Sequence, residues 1–123
     1  MKFELAPPVS PASAIDKAAD AEEALRKGDA REAYSLVRHS LSDGFARRVA
    51  LRSLTALGDW EEIVRVFTPP TSALEFIALS EALYSSARRN ELRSLIESEY
   101  ARGSNDAAVR QCIEQARSRL RNR

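Results

Sequence analysis

The stretch ALRSLTALGDWEEIVRVF, Ala50 to Phe67, reads as a helix, a Gly-Asp turn and a second helix. In its first half Ala50, Leu51, Leu54 and Leu57 fall at i, i+1, i+4 and i+7, which puts them on one side of a helix. Gly58 ends that helix, because glycine takes the left-handed conformation beyond a helix C-terminus without a Cβ clash. Asp59 then caps the next helix by accepting from the backbone N–H of Glu62, three residues on, the spacing of a capping box. In the second half Trp60, Ile63, Val64 and Phe67 repeat the 3.6-residue stripe, and Pro69 and Pro70 end it. The unit is an antiparallel helical hairpin with two apolar faces. One hairpin cannot bury both, so it requires neighbours.

The same punctuation recurs on both sides. Gly28, Asp29, Glu32 and Ala33 repeat Gly58, Asp59, Glu62 and Ile63, and Asn90-Glu91-Leu92 gives a degraded third copy, so that Ala33, Ile63 and Leu92 correspond at spacings of 30 and 29. Helix 1 is expected from Ser13, a capping residue with Asp16 three positions on, to Lys27, with a thin face of Ile15 and alanines. Helix 2 runs from Ala30 to Leu41 and is closed by Ser42, Asp43 and Gly44, and Phe45 and Val49 extend the stripe of helix 3. Ser72 and Glu75 form a capping box for helix 5, Ala73 to Arg88, whose apolar residues wrap most of its circumference and make it the most buried helix. Asn90 is a good cap for helix 6, Glu91 to about Arg102, and Gly103 stops it. Asn105 opens helix 7, Asp106 to about Arg121, with Val109, Cys112, Ile113, Ala116 and Leu120 on one side and arginines on the other, as in a solenoid cap. The expected fold is all-α, with seven helices in three antiparallel pairs plus a C-terminal capping helix, stacked as a short right-handed solenoid over residues 13–123.

Residues 1–12 form an arm, since Pro7, Pro8 and Pro11 forbid a continuous helix. Its Phe3 and Leu5 suit docking on an apolar surface, and a frayed terminus is the other reading. The 123 residues are enough for one domain with a modest core, and four Gly with 30% charged residues describe a folded helical chain. A net charge of +1 argues against bulk electrostatic binding to nucleic acid or membrane. The charge is locally uneven, with Arg47, Arg48 and Arg52 on helix 3 and Arg110, Arg117, Arg119, Arg121 and Arg123 crowding the last helix. The single Cys112 allows no intramolecular disulfide or thiolate cluster, no run of about 18 apolar residues occurs, and the N-terminus lacks the apolar stretch of a secretory signal. The expected location is cytoplasmic.

LRKGDAREAYSLV resembles the turn and second helix of a tetratricopeptide (TPR) unit, with Gly28, Asp29, Glu32 and Ala33 at the characteristic places, although the first-helix signature is weak. More narrowly, GDAREA, then LRSLTALGDWEEIV, then LEFIALSEALYSSARRNEL and a closing amphipathic helix are similar to the small TPR-like chaperones that hold the needle subunit of type III secretion systems. That resemblance covers roughly Ala24 to Leu120, and the Pro-rich arm departs from it. It implies a cytoplasmic chaperone that binds the amphipathic C-terminal helix of the needle subunit in a concave groove, often alongside a second small helical co-chaperone. In TPR-like stacking the first helix of each pair lines the groove, which nominates Phe45, Arg48, Arg52 and Thr55 from the second pair and Leu74, Ile77, Glu81 and Tyr84 from the third. Apolar walls with arginine heads suit an amphipathic helix carrying acidic residues on its flank. A solvated arginine face is the competing reading.

Chemistry is sparse. His39 has no second His or Cys with which to bind a metal, Cys112 reads as a small buried hydrophobe, and no Gly-rich phosphate loop, G-x-S-x-G or H-E-x-x-H occurs. No catalysis, cofactor or metal is expected. Trp60 reads as packing. The function expected is protein binding, with prevention of premature polymerisation of a self-assembling partner; self-association is expected when that groove is empty. A general TPR-like scaffold without chaperone activity is the alternative, and nucleic-acid binding through the arginines of helices 3 and 7 is the third reading.

Overall fold

The computed structural model describes residues 11–121. The arm residues Phe3, Leu5, Pro7 and Pro8, and Arg123, lie outside them. All regular structure among the described residues is helical: α1 Pro11–Arg26, α2 Ala30–Val37, α3 Gly44–Leu57, α4 Trp60–Phe67, α5 Ala73–Ser85, α6 Arg89–Ile96, α7 Glu99–Gly103 and α8 Ala107–Arg121. The all-α class expected from the sequence is therefore present, with eight helices in place of seven. The chain divides into two compact units, Met1–Gly58 and Asp59–Arg123. The boundary falls between Gly58 and Asp59, within the stretch Ala50–Phe67; α3 packs on α1 and α2 within the first unit, and α4 packs on α5 within the second.

The first unit has its helices in mutual contact around small side chains. Ala18 and Ala21 of α1, Ala33 and Val37 of α2, and Ala46, Val49, Ala50 and Leu54 of α3 are all fully buried. Alanine at so many positions lets helix backbones approach closely while losing no side-chain rotamer entropy. The first helix starts at Pro11, two residues before the expected cap at Ser13, because proline is tolerated in a first turn whose N–H groups have no intrahelical acceptor. Asp43 does not close α2; it is the N-cap of α3, its carboxylate accepting from the Ala46 N–H at 2.9 Å, and Gly44 is the first residue of that helix.

In the second unit α5 is the hub, in contact with α4, α6 and α8. Its Phe76, Leu79 and Leu83 join Leu92, Leu95 and Ile96 of α6, Ala101 of α7, and Val109, Ile113 and Ala116 of α8 in one buried cluster. Phe76 stacks on the Tyr100 ring at 5.6 Å between centroids. The buried Glu75 accepts from both the backbone N–H and the hydroxyl of Thr71, each at 2.9 Å, while its own N–H donates to the Ser72 hydroxyl. The Ser72 half of the expected capping box is thus formed, while the Glu75 carboxylate reaches one residue further back, to Thr71.

The region after α5 departs from expectation. Asn90 does not cap α6. The N-cap is Arg88, without a side-chain hydrogen bond, while Asn90 accepts from Arg93 at 3.2 Å. Arg88 is placed there because the turn repeats the geometry of the first two: Gly28, Gly58 and Ala87 have φ of 87°, 66° and 61°, at spacings of 30 and 29 residues. The expected long helix 6 breaks at Ser98, whose hydroxyl donates to the Leu95 carbonyl and accepts from the Ala101 N–H, so that it ends α6 and starts α7. Asp106, not Asn105, caps α8, accepting from the N–H groups of Ala108 and Val109 at 2.8 and 3.1 Å.

Ala87 sits where its Cβ opposes the backbone conformation, a cost of about 1–2 kcal/mol for a non-glycine residue. Ala87→Gly is therefore expected to stabilise the protein by about 1 kcal/mol, diminished by the greater entropy glycine gives the unfolded chain. A Cβ added at Gly58 would meet nothing within 4 Å, so Gly58→Ala loses about 1 kcal/mol through conformation alone. Urea unfolding at unchanged slope measures both, and a destabilised Ala87→Gly protein would contradict the assignment of strain to this turn.

Candidate protein-binding site

Four of the eight nominated residues lie on α3 in the first unit, and four lie on α5 in the second. On α3, Phe45, Arg48, Arg52 and Thr55 follow i, i+3, i+7 and i+10 and so share one face. Phe45 is half-buried and the other three are exposed. Arg52 donates to Glu22 of α1 at 3.1 Å, and the Thr55 hydroxyl is turned back to the Leu51 carbonyl at 2.8 Å. Arg48 makes no ion pair among the described residues. An exposed pair such as Arg52–Glu22 contributes about 0–1 kcal/mol, so another carboxylate can replace Glu22 at little cost.

On α5, Leu74, Ile77, Glu81 and Tyr84 have the same spacing and form a second face. Leu74 is 61% exposed and Tyr84 45% exposed, while Ile77 and Glu81 are half-buried. As expected, α5 has the largest share of buried residues among the helices, α4, α6 and α8 covering its other sides, and this one face is left open. The open face is bordered by α8. Arg119 donates to Glu81 at 3.1 Å and places its guanidinium over the Tyr84 ring, 4.1 Å from the centroid. Between the two helices runs a groove of about 230 Å³, floored by Ile77, Ser80, Ala108 and Cys112 and edged by Gln111 and Gln115.

Sequence reasoning missed the α8 contribution to this groove. The available signal was the uncharged stripe Ala108, Gln111, Cys112 and Gln115, at i, i+3, i+4 and i+7, which interrupts the arginines of the last helix. A second surface it missed is an apolar cleft of about 390 Å³ between α4, α5 and α6, lined by Val64, Pro70, Leu79, Leu83 and Leu95. Its polar edges are internally satisfied, Thr68 donating to the Val64 carbonyl and Ser98 to the Leu95 carbonyl. Leu79 and Leu95 read as core and are buried, whereas Val64 is only half-buried, because periodicity identifies an apolar face without saying how far a neighbour covers it.

Trp60 is half-buried and His39 is exposed. No group of three or more His, Cys, Asp or Glu residues suited to a metal ion occurs among the described residues. No helix of the described residues is long and apolar enough to cross a membrane.

Burial pushes the Cys112 thiol up from its ordinary range, against the opposing pull of the Ser80 hydrogen bond and the Arg119 charge. The thiol form is thereby favoured at neutral pH, and thiolate, the reactive species, is depleted. Cys112 is expected to react with a maleimide or an aromatic disulfide more slowly than free cysteine at pH 8, with the rate still rising above that pH. A rate equal to that of free cysteine, followed by absorbance, would show the groove floor to be open to solvent.

No family model matches the chain, no curated protein matches it, and no solved structure matches its fold.

Proposed function

We propose that this chain is a protein-binding chaperone that holds an amphipathic helix of a self-assembling partner and covers the apolar stripe the partner uses to polymerise. In this reading the helices stack as a short TPR-like solenoid. The partner is a secreted needle-type subunit, held in the cytoplasm alongside a second small helical co-chaperone. The observation that carries the proposal is the open α5 face, where Leu74 and Tyr84 stand 61% and 45% exposed on either side of half-buried Ile77. Anchors at i, i+3 and i+10 match the way a helix laid in a groove is read, and contiguous exposed apolar surface marks an interaction site. Glu81 and Arg119 border this face with one charge of each sign, which supplies orientation to a bound helix.

In the first unit the α3 face, taken by itself, presents Phe45 as an apolar contact and Arg48 and Arg52 as partners for acidic groups. A general scaffold within a larger assembly uses the same surfaces without protecting its partner. Co-expression separates the two readings, because a chaperone keeps an aggregation-prone helical subunit soluble in a one-to-one complex. Leu74→Glu and Tyr84→Ala are each expected to weaken that complex about tenfold or more, a loss of ~1.4 kcal/mol or above. Both positions are exposed, so circular dichroism and unfolding midpoints should stay near wild type. A partner that remains soluble without the chaperone, or a complex indifferent to both substitutions, removes the proposal.

A further inference from the structure

The face shared by α5 and α8 is balanced in charge. Leu74 and Tyr84 are largely exposed, and Ala108, Gln111 and Gln115 of α8 are exposed beside them, so this face has surface left to cover. The charged side chains lining its groove are one carboxylate and one guanidinium, Glu81 and Arg119. One oxygen of Glu81 accepts from Arg119 at 3.1 Å and the other from the Ser85 hydroxyl at 3.0 Å. Arg119 spends one terminal nitrogen on that bond, which leaves further N–H donors on its guanidinium. The two helices run in the same direction: Ser80 bonds Cys112, and Glu81 and Tyr84 one turn on meet Arg119.

We propose that in the free chain this face is covered by the same face of a second copy, in a two-fold dimer whose axis runs along the groove. Each α5 then lies on the α8 of the other copy, and Glu81 of one copy stands level with Arg119 of the second. Charge complementarity carries the choice of occupant. A two-fold interface has to complement itself, and a face of one sign repels its own copy. This face holds one charge of each sign, which alternate around the axis, and glutamine amides that each carry a donor and an acceptor. The same balance disfavours a polyanion, because Arg119 already has its carboxylate. Helices of 13 and 15 residues side by side make a strip about 20 Å long and about 20 Å wide, or about 400 Å² on each copy. The total of about 800 Å² lies below the ~1,200 Å² of stable complexes, so the pairing is weak and reversible. Its consequence rests on the helix-binding reading above: the second copy shields the apolar face until a partner helix displaces it.

Sedimentation equilibrium of the full chain, from micromolar to millimolar, tests the pairing without any partner, so this proposal and the helix-binding reading can fail separately. Wild type is expected to show a reversible monomer–dimer equilibrium. E81R puts two arginines on the face and R119E two glutamates, and each alone should weaken association at least tenfold. Mixed in equal amounts, the two variants should recover a one-to-one dimer, which a pair that merely supports the fold of one chain would not do. Gln115→Arg and Gln115→Glu, at an exposed position of the groove edge, repeat the mixing test without touching the Glu81–Arg119 pair. A wild-type chain that stays monomeric at millimolar concentration overturns the proposal, as do single variants that dimerise like wild type. So does a mixture that remains monomeric in both pairs of variants. A monomeric chain that binds a synthetic amphipathic helix assigns the face to a foreign helix alone, and overturns it likewise.

Discussion

The left-handed residue at each helix-to-helix turn is the constraint on which the repeat depends. At Gly28, Gly58 and Ala87 the chain takes φ between 61° and 87°, and the next residue, Asp29, Asp59 or Arg88, has nearly the same backbone each time, with φ from −103° to −86° and ψ from 71° to 75°. One local conformation thus ends a helix and starts the next three times, at spacings of 30 and 29 residues. The first two turns have both favourable residues, a glycine that takes the conformation freely and an aspartate that accepts from the N–H three residues on. The third has neither. Its penalty, about 1–2 kcal/mol for the backbone and ~1 kcal/mol for the missing cap, is smaller than the burial it permits. Phe76, Leu79 and Leu92 alone lose nearly all their exposure, and each such side chain contributes about 1.5–3 kcal/mol. Packing wins over local preference, and the turn survives without its signature residues.

That competition explains which parts of the fold were legible in the sequence. Helix existence was, because apolar periodicity and glycine punctuation report the same physics that forms the elements. Boundaries were misread wherever a short polar residue has more than one local use. The pattern puts Asp43 at the end of α2, and it starts α3; it offers Asn90 as a cap, and Asn90 lies within α6; it gives no break at Ser98, which divides the expected helix. In each instance the residue type was informative, and its direction along the chain was fixed by tertiary packing.

The candidate site was half legible for a related reason. Spacing alone places Leu74, Ile77, Glu81 and Tyr84 on one face of α5, as it places Phe45, Arg48, Arg52 and Thr55 on one face of α3. What spacing does not contain is the identity of the neighbour across each face. Arg119 lies 38 residues from Glu81, and no local pattern links them, yet the pair borders the open α5 face. The apolar cleft beside the buried Leu79 and Leu95 was hidden by the same gap in information: spacing places Val64 on the apolar face of α4 without showing that its neighbours leave it half-buried.

Helix α8 shows why a net charge of +1 says little about how this chain recognises others. The helix sorts its side chains by flank. Towards α5 it presents Ala108, Gln111, Cys112 and Gln115, with Arg119 neutralised by Glu81; towards α6 and α7 it presents Arg110 and Arg117. Whole-chain charge averages these flanks, but screening in physiological salt limits each group to a radius of about 8 Å, so a ligand in either cleft senses only the local set. Exposed arginines alone bind any anion weakly and lose that binding to salt.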